Sequence, residues 1–231
     1  MKKGLLYSVA VLLPLIPLAA WLSSAWQEFS EPLGVVFYLL YVPARAFGLI
    51  GFVLMFYQFI LASRIPFLEQ VLPRAKQLKT HRTLGKVGGI LMLTHGTFMI
   101  LFDLISLGSV AFTAGKLIGI IALFLVINAV VAAWFLRELE FKQQTWRRIH
   151  YAAYVVFPPV FVHAMLIGNT VRSYLAVRVL FAILLGIYVV LVVRRLALPP
   201  NKQKPAAKKP APAKAPASAT PPPAPESSAP V

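Results

Sequence analysis

Apolar residues run through this chain in long blocks rather than in the alternating pattern of a half-buried strand or the one-sided pattern of a surface helix. A helix needs about 20 largely apolar residues to cross the hydrocarbon layer. The blocks at 4–23, 33–63, 81–104, 114–136, 146–168 and 175–193 therefore predict six membrane-spanning helices. The second block is longer than a bilayer requires, which predicts tilt or a kink at Pro43. The connections are short, and even the longest, 64–80, is too short for a folded domain. Lys2 and Lys3 ahead of the first block resemble the start of a secretory signal. A signal's apolar stretch runs about 7–15 residues, whereas this one continues through Pro14 and Pro17 to Trp21, so a retained helix is expected. From Pro199 the pattern stops: the last 33 residues hold 11 Pro, 9 Ala and 5 Lys and no aromatic residue. Such a segment cannot bury enough surface to offset its chain entropy and is expected to be disordered. It would act as a basic tether at anionic head groups or as a solubilising tail only.

Composition removes the main competing class. With 59% apolar and 13% charged residues and a mean hydropathy of +0.76, the chain lies outside the range of soluble domains. No cysteine is present, which excludes disulfide frameworks, thiolate zinc sites and iron–sulfur clusters. A formal charge of +16 would point to nucleic acid in a soluble protein, but here the basic residues read as topology signals and no nucleic-acid partner is expected. Placing the N-terminus, 64–86, 137–148 and Arg194–Arg195 on one side collects 14 Lys/Arg there. The other side holds Lys116, Arg172 and Arg178 with Glu28, Glu31 and Asp103. Both termini are therefore expected in the cytoplasm of a bacterial-type inner membrane. The fold class is all-α: a polytopic six-transmembrane-helix bundle with a disordered C-terminal tail.

The candidate chemistry lies in four histidines, His81, His95, His150 and His163, all in the third and fifth blocks. His95 follows His81 by 14 residues and His163 follows His150 by 13. At 1.5 Å per residue these steps are about 21 and 20 Å along the membrane normal. Both blocks run in the same direction, so the histidines form two pairs at two depths, His81 with His150 near the inner face and His95 with His163 nearer the outer. Paired imidazoles in a cysteine-free apolar bundle suit the two axial positions of haem iron. Fourteen residues puts His81 and His95 on one helix face. Thirteen leaves His150 and His163 about 140° apart on an ideal helix, and Pro158–Pro159 must distort that helix between them. The alternatives are histidines that only pack or hydrogen-bond between helices, and a zinc site. Zinc is disfavoured because two pairs about 20 Å apart cannot complete one tetrahedron and no carboxylate matches either depth.

Other residues add to this picture. Gly85, Gly88, Gly89 and Gly96 would let a flat macrocycle approach the third helix, or serve ordinary helix packing. Arg45 sits inside the second block with no acid in that helix, so it would meet a haem propionate or snorkel to the outer interface. Arg82, Lys86, Arg147 and Arg148 could meet inner propionates but read mainly as topology charges. Tyr57, Gln58 and Asn128 read as interhelical hydrogen bonders. No catalytic side chain is identified.

His81-Arg82-Thr83-Leu84-Gly85 followed by His95, and Trp146-Arg147-Arg148-Ile149-His150 followed by His163, resemble the third and fifth helices of the ferric-reductase-like transmembrane domain. That superfamily includes the membrane halves of NADPH oxidases, ferric reductases, and the haem-binding membrane subunit of the periplasmic methionine sulfoxide reductase system. The resemblance covers about 34–195, leaving 1–33 as an N-terminal helix with its outer loop and 196–231 as the tail. It implies two haem b groups with His81 and His150 on the inner iron, His95 and His163 on the outer, and Arg45 near the outer propionates. It also implies electron flow from cytoplasm to exterior. Many members carry a flavin and nicotinamide domain after the last helix. Here Arg195 leads into the tail with no Gly-x-Gly-x-x-Gly pattern, so any flavin is expected to come from a partner. The chain is thus expected to be a di-haem cytochrome b, the electron-transfer subunit of an oxidoreductase. Its donor would be a flavoprotein, reduced flavin or quinol. Its acceptor would be ferric iron, dioxygen or a periplasmic redox protein. The rival readings are a histidine-relay transporter or proton channel, and a non-catalytic membrane scaffold.

Overall fold

The computed structural model describes residues 2–135, 142–151 and 153–197; the predicted tail from Leu198 onward and Arg137 lie outside them. Among the described residues the fold is helical, with no strand. Helix α1 (Lys2–Glu28) is followed by a π-helical turn (Phe37–Tyr41) that runs into α2 (Val42–Ala62). Then come the short α3 (Pro66–Val71), the long α4 (Arg74–Leu107), α5 (Ala114–Trp134), α6 (Gln143–Tyr151), α7 (Ala153–Ile167), the short α8 (Asn169–Ser173) and α9 (Leu175–Ala197).

Five of these segments are long and apolar enough to cross a membrane: α1, the π turn with α2, α4, α5 and α9. This is a membrane protein. The predicted fifth span is not among the five: its stretch holds α6 and the 15-residue α7, on either side of Ala152, which lies outside the described residues. Helix α4 begins at Arg74, seven residues before the apolar block that predicted it. Residues 74–80 are good helix formers but polar, and an apolar-run reading does not see them. Gly108 ends α4 in the left-handed conformation at φ 72°, where a side chain would be strained. Pro43 does mark an irregularity. The backbone before it winds as a π turn, with the Val42 N–H bonded to the Phe37 carbonyl, and the proline falls in the first turn of α2, where its missing N–H costs least.

Helix α2 is the central element, with half of its spanning window buried. Phe52 of α2 stacks on Phe157 of α7 at 4.7 Å and on Phe181 of α9 at 3.9 Å, and all three are fully buried. On the outward faces, side chains such as Ile121, Phe124, Ile183 and Val190 are exposed, as expected for surfaces solvated by lipid rather than water.

Two prolines inside helices receive the same remedy. Pro14 has no N–H to offer the Ala10 carbonyl four residues earlier, and the Tyr57 hydroxyl donates to that carbonyl at 2.8 Å from α2. Pro158 likewise leaves the Tyr154 carbonyl without its helical donor, and the Tyr188 hydroxyl of α9 donates to it. Unpaired backbone groups are costly in hydrocarbon, so each tyrosine ties one helix to the gap in another. Tyr57→Phe or Tyr188→Phe is expected to cost about 1 kcal/mol. In a Pro14→Ala or Pro158→Ala background, where the helical N–H is restored, the cost should shrink. Unfolding titrations of each double-mutant cycle check this, and equal losses in both backgrounds would contradict it. Gln58 and Asn128 differ from expectation: their amides donate within their own helices, to Leu54 and Phe124, rather than across to another.

Candidate functional site

The four histidines meet in the two predicted pairs. His81 on α4 faces His150 on α6 with ring centroids 6.1 Å apart and planes at 80°. His95 on α4 faces His163 on α7 with the same separation and angle. Because α4 is one continuous helix, the levels are separated by about 21 Å of helical rise. The 13-residue step between His150 and His163 is too far out of phase for an ideal helix, and Pro158 and Pro159 lie inside α7 between them. Both rings nonetheless face α4.

The outer pair is the better enclosed. His95 Nδ1 bonds the Ala44 carbonyl of α2 at 2.8 Å, and His163 Nδ1 bonds the Gly115 carbonyl at the start of α5 at 2.9 Å. A carbonyl oxygen can only accept, so Nδ1 carries the hydrogen in both rings and Nε2 keeps its lone pair for a ligand. Two imidazoles bound on opposite sides of one metal atom, each nitrogen about 2 Å from it, have centroids about 6 Å apart. Both pairs have this separation. Among the described residues no three His, Cys, Asp or Glu side chains cluster as a metal site.

Beside the outer pair lies a cavity of about 460 Å³, walled mainly by apolar side chains including Leu49, Phe52, Met92, Val126 and Val160. Arg45 lines it and is 6% exposed. The sequence expectation that Arg45 has no acid at hand holds only within its own helix. Glu28, at the end of α1, forms an ion pair with it, and the Tyr41 ring lies 5.0 Å beneath its guanidinium carbon. Nε and Nη1 of Arg45 remain buried without hydrogen-bond partners, as does Oγ1 of Thr170, which lines the same cavity. Asp103 and Lys116, also in its wall, pair with each other. The short α8 thus supplies a buried polar group, Thr170, to this cavity.

The glycines of α4 divide between roles. Gly88 and Gly89 are helix-packing residues, against Leu54 and Val130, and Gly85 lies against the Gln58 side chain; Gly96 alone of the four lines the outer cavity. Gly48 on α2 and Gly119 on α5, which the sequence reading passed over, lie against His95 and His163 instead. A mid-span glycine was the available signal, but nothing in the sequence says which ring it faces.

The chain matches no curated protein and no solved structure. The family of the ferric reductase-like transmembrane component matches residues 47–161, about half of the chain. The matched stretch contains His81, His95 and His150, while Arg45 and His163 fall two residues beyond its ends. Over residues 47–161 this chain belongs to the ferric reductase-like transmembrane family, and its general role is electron transfer in a membrane.

Proposed function

We propose that the chain is a di-haem b-type cytochrome that conveys electrons from a cytoplasmic or membrane donor to an acceptor outside the membrane. The observation that carries this is the identical geometry of two histidine pairs at two levels of one helix, each with the ring separation that a shared iron atom requires. A haem b at each level would supply one-electron chemistry. His81 and His150 would hold the inner group and His95 and His163 the outer. The Nδ1 bonds to Ala44 and Gly115 keep the outer rings in the ligating tautomer. The apolar wall of Phe52, Val126 and Val160 would limit solvent access and lower the dielectric around the outer group. The unpartnered Nε and Nη1 of Arg45, with Thr170 Oγ1 in the same wall, suit a porphyrin carboxylate.

Both termini are read as cytoplasmic and the membrane as a bacterial inner membrane, from the distribution of Lys and Arg. The donor is a flavoprotein, reduced flavin or a quinol, and the acceptor is ferric iron, dioxygen or a periplasmic redox protein. Reconstitution into vesicles enclosing ferricyanide, with reduced flavin outside, tests the reading. Vesicles with the wild-type chain should bleach the trapped ferricyanide, and vesicles with all four histidines replaced by alanine should do so only at the rate of empty vesicles. Equal bleaching by both proteins would favour the scaffold reading and end this one.

A further inference from the structure

We propose that Gly48 and Gly119 are positioning residues for the outer histidine pair. Each would clear the approach to the backbone carbonyl one turn earlier, so that this carbonyl fixes the rotation and tautomer of the ring on the facing helix. The two seats are built alike on different helices. His95 bonds the carbonyl of Ala44, and its ring lies against Gly48, four residues on; His163 bonds the carbonyl of Gly115, and its ring lies against Gly119, again four residues on.

The spacing has a physical reason. A helical side chain leans over the turn before its own Cα, so residue i+4 normally covers the outward side of carbonyl i. That carbonyl already accepts the i+4 N–H but keeps a second lone pair. With glycine at i+4 the lone pair is open to a ring from the neighbouring helix. A Cβ at Gly48 would stand 2.9 Å from His95 Nδ1 and Cε1, inside any relaxed contact. A Cβ at Gly119 would overlap His163 Nδ1 outright. The obstacle in each case is a ring packed between helices and tied to backbone, so it cannot give way without losing the bond. A carbonyl partner on Nδ1 also raises the basicity of Nε2. The glycines therefore set how firmly the outer pair grips a metal centre.

The seats are protein-to-protein contacts, and only their consequence for a bound iron rests on the di-haem reading. Two measurements separate the claims. First, ¹⁵N spectra of histidine-labelled, dithionite-reduced full-length chain should show Nδ1–H tautomers for His95 and His163. An Nε2–H tautomer at either would overturn the proposal whether or not haem is bound. Second, Gly48→Ala and Gly119→Ala should weaken haem binding at the outer site by about tenfold or more. They should also shift that haem's midpoint potential and low-spin electron paramagnetic resonance signal, while the inner haem signal stays as in wild type and reports an intact fold. Gly186→Ala, where a Cβ meets nothing within 4 Å, should change neither. If both haems bind in wild type and the two alanine variants leave the outer signal and potential unmoved, the positioning role is wrong while the di-haem reading survives.

Discussion

Replacing His95 by alanine is expected to remove one haem of two and leave the other. The outer rings stand 6.1 Å apart, and if they hold one iron between them, loss of one imidazole would leave it a single protein ligand. The inner pair, about 21 Å away along α4, shares no side chain with it and should keep its absorbance. His163→Ala should behave in the same way, and His81→Ala or His150→Ala should spare the outer haem. Transmembrane bleaching of trapped ferricyanide should fall to background in all four, because both levels are required. Haem content and reduced-minus-oxidised spectra of the purified variants read this directly. Simultaneous loss of both haems on removing His95, in a protein that still runs as a folded species in detergent, would mean that the levels are not independent sites.

The second large effect is expected at the outer mouth. Arg45 is almost wholly buried, and Glu28 is the one anion with which it forms an ion pair among the described residues. Removing one partner of a buried pair leaves an uncompensated charge, at a cost of about 3 kcal/mol. Glu28→Ala should therefore lower stability by roughly that amount. The double variant Glu28→Ala/Arg45→Leu should recover most of the loss, because the charge itself is gone. If a porphyrin carboxylate takes up the free Nε and Nη1 of Arg45, the loss in haem-loaded protein should be smaller than in haem-depleted protein. Unfolding midpoints of wild type and the two variants, each haem-loaded and haem-depleted, measure this. A Glu28→Ala protein as stable as wild type in both states would show that water at the mouth already solvates Arg45.

How far the sequence anticipated this arrangement depended on which atoms carry it. His81 and His95 could be placed on one face because their spacing fits the helical period, and α4 is indeed unbroken between them. The second pair of positions could not be phased. A helix holding two consecutive prolines between the two histidines has no single period from which to calculate direction. The Arg45–Glu28 and Lys116–Asp103 pairs join residues on different elements. An acid sought only along Arg45's own helix was never going to appear. The carbonyl seats are further from view still, because every helical residue has a carbonyl. Only the packing of α2 on α4 and of α5 on α7 selects Ala44 and Gly115. The same holds for Tyr57 and Tyr188. A proline predicts a freed carbonyl four residues earlier, but which tyrosine reaches it is a property of the assembled bundle.

The most direct test of the central claim is a pyridine haemochrome assay on the detergent-purified full-length chain, taken with its oxidised and dithionite-reduced visible spectra. Close to two haem b per chain, low-spin in both oxidation states, is the predicted result. A well-folded preparation from haem-replete cells that is colourless and free of iron would contradict it.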